Sequence, residues 1–282
     1  MIYCFDTSGI NRLLDDPERE GIIQALLAVA SFRITAYNVL EVAKTFDSER
    51  RSGLIILMKR LADGKRPLDR PNTILLNYAR AHAEHARSTT LNRDESLEGL
   101  WIALNHPDLL DEAARFEAFN WAKEHEEDFS EVIGGDREQF QKLFEEEPGS
   151  RPRSTALTMR EYLKKKVECH SLVSDIYDRH IGRPLNDSEY RDLVREPVWP
   201  LYFLGYAYAV HQRSIVEHGF SARRNAGGID VGQAVYLALC DRFVTNDQAQ
   251  YRALRLLNVF NTKRQTEVIR YDTFRNRLLV FA

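Results

Sequence analysis

Four carboxylates in this chain stand where they could do chemistry together: Asp6, Glu41, Asp230 and Asp247. Carboxylate oxygens suit hard divalent cations. Mg2+ and Mn2+ take oxygen ligands, and Mg2+ keeps several waters while using few carboxylates. Two such ions about 3.5–4 Å apart can activate a water and stabilise the leaving oxygen of a phosphodiester. That chemistry requires residues far apart in sequence to converge, so the elements that carry them decide the matter.

Asp6 directly follows the apolar run Ile2–Phe5, in Phe5-Asp6-Thr7-Ser8-Gly9. Asp247 closes Phe243-Val244-Thr245-Asn246-Asp247, just past a second apolar run. Both positions lie beyond the carboxyl end of a predicted strand, which is where open parallel sheets bind ligands. Asp230 opens the helix predicted before that strand, after Gly227-Gly228-Ile229. Glu41 lies in a predicted helix about 200° round from Val39, off its apolar stripe. Each acid also has a plainer reading. The three aspartates suit N-caps, with Gln250 and Gln233 completing capping-box patterns. Glu41 could pair with Lys44 at i+3. A cap and a ligand are compatible roles, because both place a carboxylate at a strand-to-helix junction.

The elements follow from periodicity. Ile2–Phe5, Phe32–Ala36 and Arg242–Thr245 read as buried strands, and Glu267–Arg270 and Leu278–Phe281 as weaker ones. Val39, Val42, Ala43 and Phe46 form one helix face; Val231, Ala234, Val235, Ala238 and Leu239 form another. Alternation of strands and helices predicts an α/β fold with a mostly parallel sheet. Residues 60–220 read as helical, with candidates near 73–88, 109–127, 137–146, 156–179 and 199–217 and prolines between some of them. The expected plan is an α/β core of residues 1–59 and 221–282, interrupted by a helical insertion over 60–220.

These motifs resemble a known family. Ile2-Tyr3-Cys4-Phe5-Asp6-Thr7-Ser8 is similar to the first strand of PIN domains, whose first acid precedes Thr or Ser. Asn38-Val39-Leu40-Glu41 resembles the second acidic position of that family. Asp230-Val231-Gly232-Gln233-Ala234 through Thr245-Asn246-Asp247 resembles its closing block, where an Asp opens a helix and a strand ends in Thr-x-Asp. The resemblance covers residues 1 to about 55 and about 225 to 282. It implies a PIN-like α/β/α nuclease core with Mg2+ or Mn2+. Asp6, Glu41, Asp230 and Asp247 would be the catalytic, metal-binding acids, and Ser8 and Thr245 hydroxyls lining the site. Many members carry a further acid just after Thr-x-Asp; here Gln248, Ala249 and Gln250 stand there, which leaves the number of metals open.

Composition bounds the rest. Net charge is −3, so a basic footprint over the whole protein is absent and nucleic-acid contact must use local patches. Lys44 and Arg224 are the expected substrate contacts, with Arg50, Arg51, Arg223, Arg252 and Arg255 nearby and Lys164, Lys165, Lys166, Arg151 and Arg153 in the insertion. Three scattered cysteines without CxxC speak against a disulfide framework or a cysteine zinc site. His82 and His85 at i, i+3 lack a convincing third ligand. No phosphate-cradling GxGxxG or GxxxxGK[ST] occurs. The haloacid-dehalogenase pattern needs a second Asp where Ser8 stands. The N-terminus lacks a signal-peptide pattern, and the longest near-apolar run, Val198–Val210, is too short to span a bilayer. The expectation is a cytoplasmic, metal-dependent nuclease without a membrane segment, acting on a phosphodiester in RNA. The alternative is a PIN-like binding module with weak or no catalysis, whose helical insertion docks RNA or a protein partner. That insertion could also mediate a homodimer.

Overall fold

The computed structural model describes residues 1–83, 93–106, 120, 170–215 and 232–279. Its centre is a four-stranded, all-parallel sheet of β1 (Ile2–Phe5), β2 (Ser31–Arg33), β3 (Arg242–Thr245) and β4 (Glu267–Arg270), in the order β2-β1-β3-β4. The α/β expectation with a parallel sheet therefore holds at this level. The strand order carries a consequence. The chain leaves β1 towards β2 on one side, and β3 joins β1 on the other, so the order reverses between β1 and β3. Such a switch point opens a crevice at the carboxyl ends of the two strands, the usual ligand position in open α/β sheets.

Alternation along the strands loads both faces. Cys4, Phe243 and Val268 are in register and turn to one core; Phe5, Val244 and Ile269 are in register and turn to the other. The first core is closed by α5 (Pro71–Ala83), α7 (His170–Ile181), α8 (Asp187–Leu193), α9 (Val198–Ile215), α10 (Gln248–Leu257) and a 3-10 helix at Gln233–Ala238. The second is closed by α1 (Thr7–Leu14), α2 (Arg19–Val29), α3 (Ala36–Ala43), α4 (Ser48–Ala62), α6 (Glu95–Asn105) and α11 (Tyr271–Leu279). Phe5 anchors this face edge-on against Phe32 and Phe274, with ring centroids 4.9 and 4.8 Å away. The described helices of the 60–220 stretch thus share a core with the sheet. The candidates at 109–127 and 137–146, and the first part of 156–179, lie outside the described residues.

Several expectations are corrected. The second strand is shorter than Phe32–Ala36, because Thr35 is already the N-cap of α3 and bridges to Leu68. Phe46 is fully exposed and not part of a helix face, because α3 stops at Ala43. Residues 278 and 279 are helical: Tyr271, Phe274 and Leu278 recur at helical spacing and bury one face of α11. The helix predicted around Val235 is a 3-10 turn in which Gln233 to Leu237 are all buried. Cys4 and Cys240, 236 positions apart, are free and buried. Among the described residues no helix is long and apolar enough to cross a membrane.

Candidate active site

Asp6 ends β1 and caps α1. Its backbone is extended, its amide donates to Val244 O at 3.0 Å, and its Oδ1 accepts from Gly9 N at 2.6 Å. The cap reading is therefore correct for Asp6. Gly9 is required for this fit. A Cβ there would lie 3.0 Å from Asp6 Oδ1 and 3.1 Å from the Val244 carbonyl oxygen. Asp6 is 3% exposed, and a buried charge needs partners. Two hydroxyls supply them on the other oxygen: Ser8 Oγ at 2.6 Å and Thr245 Oγ1 at 2.7 Å both donate to Oδ2.

Both hydroxyls are oriented from behind. Ser8 Oγ accepts from Asn246 N at 3.0 Å, and Thr245 Oγ1 accepts from Asp247 N at 2.9 Å. Two backbone N–H groups of the β3–α10 junction thus act on the carboxylate at the end of β1 through intervening hydroxyls. Gln250, fully buried, places its side-chain amide 2.9 Å from Thr245 Oγ1. A hydroxyl has one proton, and the charged acceptor Asp6 takes it. Gln250 Oε1 stands at the same hydroxyl as a second, competing acceptor.

Asp247 ends the neighbouring strand and is partly exposed. Its Oδ1 accepts from Gln250 N at 2.7 Å, so it too is a cap. The capping box expected with Gln250 forms only in half, because Thr245 takes the Asp247 N–H. Asp6, Ser8, Thr245 and Asp247 form one hydrogen-bonded unit at the switch point.

Glu41 lies on α3, whose first turn packs against this edge. The helix is fixed by Asn38, a residue with no chemical signature in the sequence. Asn38 is fully buried. It forms a capping box with Thr35, and its Nδ2 donates to Phe5 O at 3.1 Å and Thr7 Oγ1 at 3.2 Å. It thereby ties the helix bearing Glu41 to the turn bearing Asp6. One residue before it, Tyr37 lies against Gly232: a Cβ on that glycine would meet the phenol oxygen at 2.7 Å. Burial raises the Tyr37 phenol above its ordinary range; Tyr202 adds to this, Arg70 opposes it, and the negative charge of Glu41 adds further. Gly232 therefore neighbours the Tyr37 ring. Asp230 stands two positions before Gly232 in sequence and lies outside the described residues, as do Arg223, Arg224, His85 and Lys164 to Lys166.

Of the flanking cations, Arg50 is committed elsewhere. It donates to Asn11 Oδ1 at 2.8 and 3.0 Å and to both Asp15 oxygens, bracing α1 against α4. Arg51 donates to Thr45 O at 2.8 Å. Lys44 is partly exposed at the end of α3. Among the described residues no three His, Cys, Asp or Glu side chains converge closely enough to hold a metal. Asp6, Glu41 and Asp247 alone thus do not make a closed cage.

Comparison of the chain with protein-family models, with curated proteins and with solved structures gives no match.

Proposed function

We propose that the chain is a PIN-like, metal-dependent nuclease that hydrolyses phosphodiester bonds, with RNA as its substrate. The observation that carries this reading is the pairing of Asp6 and Asp247 at the ends of adjacent parallel strands. They flank the switch point and are joined through Thr245. Strand-end carboxylates at a crevice are poor devices for stability alone, since either could be an uncharged cap.

The donor set bears on the cofactor. Carboxylates and hydroxyls at this edge are hard oxygen ligands of the kind Mg2+ and Mn2+ take, with no thiolate or imidazole among them. No three His, Cys, Asp or Glu side chains converge among the described residues, so an ion held by Asp6 and Asp247 would need waters and substrate phosphates as its other ligands. Asp6 and Asp247 would hold it, with Glu41 and Asp230 as the further ligands the family resemblance implies. When bound, the metal would supply an activated water and electrostatic stabilisation of the phosphate. The protein's own part is positional. Ser8 and Thr245 fix the rotamer of Asp6 and Asn38 fixes α3; Lys44, at the end of α3, would be a phosphate contact.

A second reading is a catalytically weak binding module. Gln250, buried in the network where the resemblance leads one to expect an acid, favours it. One assay separates the two. Labelled single-stranded RNA is incubated with Mn2+, with wild type beside Asp6→Asn and an EDTA control. The nuclease reading expects cleavage by wild type that EDTA abolishes. Asp6→Asn should lose more than about 100-fold, since losing even an outer-shell partner of a metal costs about 10–100-fold. Binding without cleavage would establish the second reading instead.

A further inference from the structure

The outer edge of β4 borders a groove of about 470 Å³ between α10 and the start of α11. Its chemistry is set by Tyr251, Arg255, Asn258, Glu267, Arg270 and Arg277. The carboxylates of the candidate active site do not line it, but one residue links the two. Arg270 is the last residue of β4 and the register partner of Thr245. Its Nη1 donates to the side chain of Gln248, which directly follows Asp247.

Three observations point to an anion. Arg270 Nε is buried and has no hydrogen-bond partner among the described residues, and a buried guanidinium N–H without an acceptor is costly. The one acid, Glu267, is already answered. It accepts from Arg277 at 2.7 Å and lies 3.1 Å from Arg242 Nε, and these arginines hold its carboxyl below the usual range. Among the described residues Arg255 has no carboxylate partner. Its guanidinium stands 5.5 Å from the centre of the Tyr251 ring and donates to the phenol oxygen at 3.2 Å. A cation over an aromatic ring beside a guanidinium whose Nε lacks an acceptor among the described residues is a combination suited to a phosphate backbone and an unpaired base.

We infer that the β4 groove binds the sugar–phosphate backbone of single-stranded nucleic acid and leads it to the edge where Asp6 and Asp247 stand. This inference rests on the nuclease reading of that edge and adds to it a site outside the acids.

The test is equilibrium binding of a fluorescein-labelled oligouridylate by anisotropy, in EDTA, over a salt series. Without metal, binding is read apart from cleavage, so this result and that of the nuclease assay can differ in either direction. Arg255→Gln/Arg270→Gln is expected to raise Kd about tenfold. It should also flatten the plot of log affinity against log salt by about 1.4, two phosphate contacts at about 0.7 each for a single strand. Arg255→Gln alone removes an exposed side chain and should still flatten the slope by about 0.7, so the test survives if the double variant misfolds. Lys59→Gln, the same charge change on α4, should alter Kd less than twofold. Three results would overturn the inference: no binding by wild type at low salt, groove variants with wild-type Kd and slope, or equal displacement of the RNA by a poly-glutamate peptide.

Discussion

Thr245 donates its hydroxyl proton to Asp6 at 2.7 Å across the seam between the two central strands, joining residues 239 positions apart. The same hydroxyl accepts the Asp247 amide at 2.9 Å. One side chain therefore aligns both strand-end acids, and its removal should be felt at both. Thr245→Val keeps the branched shape but leaves a buried carboxylate, an amide and the Gln250 side chain short of a partner. An unsatisfied buried polar group costs about 1–3 kcal/mol. The valine variant should lose about 2–3 kcal/mol in urea unfolding, while Thr245→Ser stays within about 1 kcal/mol of wild type. A valine variant as stable as wild type would show that the hydroxyl is not the hub.

Gly9 offers a contrast with Gly21. A methyl group at Gly9 would crowd Asp6 Oδ1, the Val244 carbonyl and Phe5, whereas at Gly21, within α2, it would meet nothing within 4 Å. Gly9→Ala should cost about 1–3 kcal/mol by overpacking. Gly21→Ala should gain up to about 1 kcal/mol from helix propensity. Paired urea melts measure both, and a neutral Gly9→Ala would refute the tight approach of α1 to the strand ends.

Much of this edge is legible in the sequence, for a physical reason. Ile2–Phe5 and Arg242–Thr245 are short apolar runs that end abruptly at Asp-Thr-Ser and Asn-Asp, and a strand-end Asp before a helix announces itself by residue type. What ties the ends together is not legible. Asn38 resembles any helix residue until its amide is seen bridging Phe5 O and Thr7 Oγ1. The contact of Tyr37 with Gly232 joins segments that periodicity treats separately. Phe46 fits the α3 stripe by spacing alone, but the helix ends before reaching it, and periodicity carries no information on where a helix stops. Leu278 and Leu279 fail for a related reason: a terminal apolar pair reads equally as strand or helix.

A second carboxylate gives the pH dependence. Asp16 is buried and braces α11 against the start of α2. Burial alone would raise its pKa. Bonds from Glu18 N, the Tyr271 hydroxyl and Arg275 Nε at 2.9–3.0 Å, with the charge of Arg275, lower it overall. A depressed folded-state pKa contributes stability above the unfolded value of about 3.9, and that stability is lost as pH falls through the folded value. Asp16→Asn should therefore cost about 1–3 kcal/mol at pH near 7. The gap to wild type should narrow below about pH 4, as the wild-type carboxyl protonates. Urea unfolding at the two pH values checks this, and a gap that is constant with pH would place the Asp16 contribution in packing instead of charge.

The central claim is that Asp6 helps to hold a divalent cation at the switch point. The most direct measurement is the melting temperature of wild type and Asp6→Asn, each with and without Mn2+. Asn keeps the capping oxygen that accepts from Gly9 N. Its NH2 cannot accept the Ser8 and Thr245 hydroxyls that Asp6 Oδ2 accepts, so the metal-free variant should melt below wild type, by about 1–3 kcal/mol in stability. A cation that binds only the folded state stabilises it by RT ln(1 + [L]/Kd), about 2.7 kcal/mol at a hundredfold excess over Kd. The account predicts that wild type gains melting temperature with Mn2+ and that Asp6→Asn gains much less. Equal gains in the two proteins, or none in either, would leave Asp6 a helix cap and contradict the metal site.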